Sequence, residues 1–396
     1  MSKTNNNYSW KIIINQSVEF FNKILEKDRI CLLYHGDADG AVSAVYIDNI
    51  LRKLRGRGAD YKVFVPSFSY DLNAEAEMVL NTKCDKLIVL DLAIDSKKAI
   101  LESFSENIDN IFIYDHHYYQ SVPDAGNITY FNPRLISEKD LWHPASFFGY
   151  EMYKEYADKD ESLRHWLAGV GLTGDFAFSA FPEVEDCIKS TNPELLVKDP
   201  VTKQNKLAQM AIKINSGFLY DPMKRNDISF RCLDSAFVKD DPALLFDTNN
   251  EPFSTLIKTY DSFREEVRET VEEIEKQGAL DKDLPLVFHN HTSVHYVTAL
   301  ASESYIVKNH DKVILLGFAQ DFFPNISIEI RVGDNISLNL PVVLNKQREF
   351  INFLSAGGHP QAGGAVILPE DYEKFKSTFV ELSKQHIKLN INASAK

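Results

Sequence analysis

Acidic residues and histidines gather in four short motifs within the first half of the chain. In order along the sequence these motifs are His35-Gly-Asp37-Ala-Asp39-Gly40, the single residue Asp91, the triplet Asp115-His116-His117 and the pair Gly174-Asp175. Each motif follows an apolar run that is typical of a buried strand or helix. Carboxylates and imidazoles are common ligands of divalent cations, so their convergence at one edge of a sheet would predict a metal site.

The elements that must position these motifs alternate between strand and helix. Strands are predicted at Ile30–Tyr34, Tyr61–Val65, Lys86–Leu90 and Ile111–Tyr114, and helices at Ala41–Leu54, Ser96–Phe104, Pro144–Tyr156 and Ser162–Gly171. This alternation is typical of βαβ units and predicts an α/β fold with a mainly parallel sheet. Ligands of such sheets collect at the carboxyl ends of the strands, which is where the motifs fall.

The length of the chain, 396 residues, predicts more than one domain. We expect a first α/β domain over residues 1–250, with an insertion at about 180–250 where the strand and helix pattern weakens. A charged helix in the segment 251–280 then leads to a smaller α/β domain over residues 281–396.

Composition narrows the possible partners and location. A net charge of −14 argues against a protein that coats long nucleic acid, but it allows a nuclease whose acids bind metal ions. The polar start and the lack of a long apolar stretch predict a cytoplasmic protein without a membrane partner. Its four scattered cysteines are expected to be reduced thiols, with Cys31 and Cys84 buried.

Two other groups of side chains leave alternatives open. The basic cluster of Arg52, Lys53, Arg55 and Arg57 either complements the end of a helix, which we favour, or contacts the backbone of a substrate. The aromatic segments Phe147-Phe148-Gly-Tyr150 and Phe176-Ala-Phe178 are expected in the core, although one exposed ring could stack on a nucleobase.

The first two motifs have both a chemical and an ordinary interpretation. Asp37 and Asp39 place two oxygen ligands directly after a strand, and Gly40 would allow a tight turn into the next helix. An ordinary Asp-Gly turn is the alternative. Asp91, at the end of the third strand, would suit a carboxylate that bridges two metals, or it could cap a helix.

The Asp115-His116-His117 triplet is a more specific signal than a single aspartate. One of the two neighbouring imidazoles can bind metal while the other faces a substrate phosphate, and Asp115 can orient an imidazole. Asp175, after an apolar segment, would complete the coordination of a metal. Motifs of this kind at the ends of successive elements predict a two-metal phosphoesterase.

Taken in order, the motifs resemble those of the DHH phosphoesterase superfamily. The C-terminal segment Gly357-Gly358-His359-Pro-Gln-Ala-Gly363-Gly364 is similar to the glycine-histidine motif of the DHH-associated domain. That domain accompanies RecJ-type exonucleases, nanoRNases and cyclic-dinucleotide phosphodiesterases. The segment Phe131-Asn132-Pro133-Arg134 also looks RecJ-like, and the resemblance spans nearly the whole chain.

The resemblance implies two Mn²⁺ ions, for which Mg²⁺ could substitute weakly. Their implied ligands are Asp37, Asp39, Asp91, His116 and Asp175, with Asp91 bridging. The implied catalytic and substrate-binding residues are His117, Asp115, Arg331, His359, Gly357, Gly358 and Arg134. His35 lies two residues before Asp37, whereas many relatives have four, so a direct ligand role and a loop-shaping role both stay open.

The implied reaction is hydrolysis of phosphodiester bonds by a metal-activated hydroxide. We expect a RecJ-like exonuclease or oligoribonuclease that releases mononucleotides from single-stranded DNA, RNA or short oligonucleotides. Two alternatives are a cyclic-dinucleotide phosphodiesterase and a non-catalytic RecJ-like subunit of replication or repair machinery. The presence of every motif aspartate and both histidines favours an enzyme over a non-catalytic subunit. A homodimer and a replication or repair partner are both left open.

Overall fold

The chain consists of two compact units, residues 1–260 and 261–396. The computed structural model describes residues 3–66, 72–135, 143–200, 203–218, 227–293, 295–319, 325–358 and 360–389. The boundary between the units falls inside a long helix, Phe253–Gln277. This helix lies in the segment 251–280, for which a helical linker is predicted.

A parallel sheet of five strands organises the first unit. The strands are β1 (Ile30–His35), β2 (Tyr61–Val65), β3 (Lys86–Leu90), β4 (Asn110–Tyr114) and β5 (Ile128–Phe131). Their order is β2-β1-β3-β4-β5, and every neighbouring pair is parallel. The predicted α/β class with a mainly parallel sheet is confirmed, while β5 was not expected.

Alternating side chains along these short strands pack on opposite faces of the sheet, as the pleat requires. On one face Leu33, Val89 and Ile113 join a core that includes Val79 and Phe104 from the following helices. Both faces are covered, which explains why the strands are nearly continuous apolar runs.

Ten helices, as far as the chain is described, belong to the first unit or cross its boundary. They are α1 (Lys3–Phe21), α2 (Ala38–Arg55), α3 (Asn73–Thr82), α4 (Lys98–Asn107), α5 (Ala145–Tyr156), α6 (His165–Gly174), α7 (Pro182–Thr191), α8 (Lys206–Phe218), α9 (Ile228–Lys239) and α10 (Phe253–Gln277). None of the helices in the described part of the chain is long and apolar enough to cross a membrane.

Two parts of this helical structure differ from the sequence-based expectation. The helix α2 begins at Ala38, three residues before the predicted start, so Asp39 and Gly40 lie in its first turn. The segment 180–250 contains α7, α8 and α9, although its sequence predicted only one helix. Polar and proline-containing stretches separate these short helices, and α7 begins with a proline, so the helical signal of the sequence is weak there.

The second unit contains a mixed sheet of six strands, ordered β11-β12-β9-β8-β7-β6. The strands are β6 (Ala279–Leu280), β7 (Leu286–His291), β8 (Val313–Phe318), β9 (Ile326–Val332), β11 (Ser355–Gly358) and β12 (Ala362–Ile367), and a separate two-stranded ribbon pairs β10 (Ile336–Ser337) with β13 (Lys388–Leu389). Its helices are α11 (Thr298–Lys308), α12 (Leu340–Gln347) and α13 (Tyr372–Lys384). Only β7 and β8 pair in parallel within this sheet.

The basic cluster at the end of α2 is paired with acids. Arg52 contacts Asp48 and Asp234, at 2.7 and 2.8 Å, and Lys53 contacts Glu161. Arg55 and Arg57 both contact Asp60, at 3.0 and 3.1 Å. These cations are therefore held in ion pairs with nearby carboxylates.

The helices α2, α5 and α6 pack closely because α6 presents a glycine at the contact. A Cβ atom added to Gly171 would lie 2.3 Å from the Cβ of Ser146 on α5 and 3.2 Å from that of Val42 on α2. Real Cβ contacts are essentially never as short as 2.3 Å, so Ser146 must shift if a side chain is added at position 171.

We expect Gly171→Ala to lower the free energy of unfolding by about 1–3 kcal/mol, because it overpacks this three-helix contact. The measurement is the midpoint of urea unfolding. Gly126→Ala is the matched control, since an added Cβ at Gly126 meets nothing within 4 Å. Equal midpoints for the two variants would contradict the packing argument.

Candidate metal centre

The register of the sheet brings three of the acidic motifs to one edge. Tyr34 pairs with Leu90, and Leu90 pairs with Tyr114, so the residues after these positions leave their strands at the same level. The amide of Asp91 donates to the carbonyl of Tyr114 at 3.0 Å, which extends the ladder by one residue. The chain turns in opposite directions after β1 and β3, and a crevice at such a switch point is the usual ligand site of parallel sheets.

The loop after β1 is shaped around His35 and Asp37. Asp37 is the N-cap of α2, and its Oδ1 accepts a hydrogen bond from the amide of Gly40 at 3.0 Å. Its Oδ2 lies 2.9 Å from the Nδ1 of His35. A Cβ at Gly40 would lie 2.1 Å from the carbonyl oxygen of His35. Glycine is thus required here for a close approach between loop and helix.

Asp39 connects the site to the N-terminus of α5. Its side chain is 2% exposed, and its two oxygens accept hydrogen bonds from the amides of Ala145 and Ser146 at 2.7 and 2.9 Å. The hydroxyl of Ser146 donates to it as well. Asp39 therefore caps a helix more than 100 residues away, a role that the sequence did not reveal.

Asp91 lies between the other groups. Its Oδ1 is 3.1 Å from the Nε2 of His116, and its Oδ2 is 3.6 Å from the Nδ1 of His35. The backbone of Asp91 has a φ of 61°, in the left-handed region that most residues avoid. Strain of this kind persists only where the surroundings hold the residue in place, and it often marks a functional site.

The two histidines of the triplet differ in exposure. His116 is buried, whereas the side chain of His117 is 49% exposed. The Nδ1 of His117 lies 2.7 Å from the Oδ1 of the buried Asp115, which orients the ring. One imidazole therefore faces the acids and the other faces outward.

Asp175 completes the cluster from the end of α6, where it is the C-cap residue. Its Oδ2 lies 3.8 Å from the Nδ1 of His116. Within the described part of the chain, three overlapping groups offer ligand atoms that all lie within 4.8 Å of one another. The groups are His35 with Asp37 and Asp91, Asp39 with His116 and Asp175, and Asp91 with His116 and His117.

These donors fit divalent cations. The Nδ1 of His116 is buried and has no hydrogen-bond partner among the described residues. At 3.8 Å, Asp175 is too far away for a hydrogen bond to this atom. Two ligands that each lie about 2.1 Å from one cation are separated by about 3–4 Å. The mixture of carboxylate and imidazole donors suits first-row transition metals such as manganese.

The buried charges of this cluster shift one another's pKa values. Burial raises the pKa of Asp39 well above its ordinary value, and the charges of Asp91 and Asp175 raise it further. Burial opposes the charged form of His116, but its hydrogen bond to Asp91 and the charges of Asp91 and Asp39 together outweigh that effect and raise its pKa. Asp91 is likewise buried, yet contacts from His116 and His35 hold its pKa well below the ordinary value.

Arg134 and Asn132 support the triplet from behind. The Nε of Arg134 donates to the carbonyl of His116 at 2.7 Å, and the Nδ2 of Asn132 donates to the carbonyl of His117 at 2.9 Å. The Arg134 guanidinium also lies over the ring of Tyr118, 4.0 Å from its centroid. Arg134, expected to bind substrate, thus contacts the backbone of the triplet.

The remaining predicted residues belong to the second unit. Arg331 lies on β9, and its Nη1 contacts the Oε2 of Glu329 at 2.8 Å. Gly357 and Gly358 lie on β11, where Gly358 has a φ of 146°. His359 lies outside the described residues. The structure therefore brings together the nine predicted residues of the first unit, while Arg331 and the glycines are described only within their own sheet.

The aromatic segments divide differently from the prediction. Phe147, Phe148 and Tyr150 are buried, as expected, and their packing helps to hold α5. The expectation that Phe176 lies in the core is wrong, because its side chain is 85% exposed. Its backbone has a φ of 56°, which turns the chain sharply after Asp175, and no pattern in the sequence signalled this turn.

A model of the DHH family, N-terminal domain, matches residues 29–174. The chain carries a DHH-family domain. The matched segment includes the motifs from His35 to His117 and the helix that leads to Asp175. No curated protein matches the chain in sequence.

Three solved structures have a fold similar to that of this chain. Exonuclease RecJ bound to manganese is similar with a TM-score of 0.64 at 15% identity, over 96% of this chain and 97% of the other. RecJ from Thermus thermophilus in complex with Mn²⁺ has a TM-score of 0.65 at 15% identity and 96% coverage, and this chain spans 55% of it. CDC45 from Entamoeba histolytica has a TM-score of 0.53 at 13% identity, over 96% and 99% of the two chains. At these identities the similarity shows a RecJ-like fold.

We expect Asp91→Asn to weaken Mn²⁺ binding by two of the ligand groups, because Asp91 belongs to both of them. Asp175→Asn should weaken Mn²⁺ binding by one group only. The measurement is the number of Mn²⁺ ions bound per chain, by calorimetry with the metal-free protein. Asp186→Asn, at a 71% exposed side chain on α7, is the control and should bind as the unaltered protein does. Full binding by Asp91→Asn would contradict a shared ligand.

We expect the DHH triplet to show an unusually basic outer histidine in the metal-free protein. Partial burial favours the neutral form of His117, but the hydrogen bond and charge of Asp115 raise its pKa to about 9. Asp115→Asn should lower that pKa, as measured by NMR titration of the imidazole carbons. Because a raised histidine pKa stabilises the fold below pH 6.5, and this stabilisation is lost as pH rises through about 9, the variant should lose more stability at pH 6 than at pH 10.

Proposed function

We propose that this chain is a metal-dependent phosphodiesterase that releases mononucleotides from single-stranded nucleic acid or short oligonucleotides. The DHH-family domain and the RecJ-like fold support a metal-dependent phosphoesterase. The observation that carries the proposal is the position of Asp91, whose two oxygens point toward two separate groups of ligands. A shared carboxylate is what a two-metal hydrolase needs, since its ions lie about 4 Å apart.

Two cations would be held by different groups in this site. His35, Asp37 and Asp91 would hold one, and Asp39, His116 and Asp175 would hold the other, with Asp91 shared. Bound there, divalent ions would supply a hydroxide at neutral pH and Lewis-acid stabilisation of the phosphoryl oxygens. Manganese is proposed because it suits mixed oxygen and imidazole donors, with Mg²⁺ as a weaker substitute.

The chain itself would contribute orientation and charge. His117 is exposed and tied to Asp115 through Nδ1, so its Nε2 can donate to an oxygen of the scissile phosphate. The raised pKa of His117 favours the cationic form, which strengthens this hydrogen bond. Arg134 and Asn132 hold the backbone of the triplet, which keeps both imidazoles in position.

The charge of the protein favours short substrates. With a net charge of −14, the protein lacks the excess of cations that long nucleic acid usually requires. The basic cluster at the end of α2 is paired with acids, which lowers the net positive charge that it would offer to a long nucleic-acid backbone. Short oligonucleotides need fewer phosphate contacts.

The test is hydrolysis of a panel of substrates in Mn²⁺. The panel contains a labelled dinucleotide, a short oligoribonucleotide, a long single-stranded DNA and cyclic di-AMP. We expect release of mononucleotides from the linear substrates, fastest for the short ones, and loss of activity with EDTA. Asp37→Asn should lower kcat by at least about 100-fold, since it removes charge and a ligand from the reacting centre. Asp186→Asn should match the unaltered protein.

The other outcomes separate the alternatives. Hydrolysis of cyclic di-AMP alone would replace the exonuclease by a cyclic-dinucleotide phosphodiesterase. Binding of Mn²⁺ without hydrolysis of any member of the panel would overturn the catalytic proposal and favour a non-catalytic subunit of a replication or repair assembly.

A further inference from the structure

Two exposed aromatic rings directly follow residues of the candidate metal centre. Tyr118 follows His117 and is 77% exposed, and Phe176 follows Asp175 and is 85% exposed. Isolated exposed apolar side chains are ordinary on protein surfaces, but two large rings attached to the same cluster suggest a binding surface. Neither ring was assigned a role by the DHH motifs.

Phe176 has an unfavourable backbone conformation, and its ring is exposed. Its φ of 56° is unfavourable for a residue with a bulky side chain. The amide of Phe176 donates to the carbonyl of Thr173 at 3.2 Å, and that of Ala177 donates to Leu172 at 2.8 Å. Ala177 itself is buried, so the chain is anchored immediately after the ring. Strain that exposes a hydrophobic group fits a functional role better than a structural one.

Tyr118 is held in place from one side. The guanidinium of Arg134 lies 4.0 Å from the centroid of its ring, while the Nε of the same arginine donates to the carbonyl of His116. The ring is therefore coupled to the triplet through one arginine. A ring that is already oriented loses less conformational freedom when a ligand stacks on it.

We propose that Tyr118 and Phe176 stack on the bases of the nucleotides that flank the scissile phosphate. This inference rests on the proposed function and adds the feature of the substrate that would be recognised, the open face of an unpaired base. Stacking is tolerant of sequence because every base has an aromatic face. It also supplies affinity that does not depend on cations, which matters for a protein with a net charge of −14.

The test compares Tyr118→Ala and Phe176→Ala on substrates with and without bases. The substrates are a dinucleotide, the same dinucleotide with its bases removed, and methyl p-nitrophenyl phosphate. We expect KM for the intact dinucleotide to rise by about 10-fold in each variant. Hydrolysis of the two substrates without bases should be unchanged, because the metal centre is intact.

Four further variants complete the test. Tyr118→Phe keeps the ring and should behave as the unaltered protein, whereas Phe176→Leu keeps an apolar side chain without the aromatic face and should resemble Phe176→Ala. Tyr61→Ala removes a 40% exposed ring at the amino end of β2, opposite the strand ends that carry the site, and should change nothing. Phe176→Gly should raise KM while leaving the urea midpoint equal or higher, since glycine tolerates the backbone angle.

Two results would overturn the stacking proposal. One is an unchanged KM for the dinucleotide in both alanine variants, and the other is an equal loss on substrates with and without bases. If the unaltered protein hydrolyses nothing, the proposed function fails separately. Fluorescence anisotropy of a labelled oligonucleotide, with the same variants, then decides the matter: equal Kd values for unaltered and alanine forms would exclude stacking.

Discussion

Mutual repulsion among buried carboxylates is the constraint around which the first unit is built. Asp39, Asp91 and Asp115 are almost fully buried and form their ion pairs with histidines. Carboxylates this close in a low-dielectric site require positive charge nearby, because isolated buried anions are very unfavourable. Imidazolium protons supply part of that charge without metal, and divalent cations would supply more. The pKa values of Asp39 and His116 are raised partly because the neighbouring carboxylates favour the protonated form of each group.

Backbone amides of the fold also stabilise the acids, because they donate hydrogen bonds to the carboxylates. Asp37 caps the helix that follows it, and Asp39 caps α5 across the molecule. The strained turn at Asp91 and the close approach at Gly40 bring His35 within reach of two carboxylates. These features connect β1, β3, α2 and α5 in one rigid arrangement. A ligand set that must keep its geometry during a reaction benefits from such support.

The same structure separates the roles of neighbouring residues. His116 faces inward to the acids, and His117 faces outward with Asp115 behind it. The next residue, Tyr118, is exposed and packs against the guanidinium of Arg134. Phe176, the residue after Asp175, is exposed as well. In each of these two short segments, an exposed ring directly follows residues of the cluster. The proposed chemistry and the proposed recognition of bases are therefore adjacent in the chain but are carried by different residues.

The sequence by itself determined the parallel α/β fold and the membership of the cluster. Apolar runs that end on His35, Asp91 and Asp115 mark strands whose carboxyl ends must meet, since parallel strands in register share an edge. It could not determine the cap of Asp39 on α5, which joins residues more than 100 positions apart. Nor could it show that Phe176 is exposed, because its position depends on a turn held by neighbours in α6. Local patterns specify elements and their ends, whereas only tertiary packing decides which groups those ends contact.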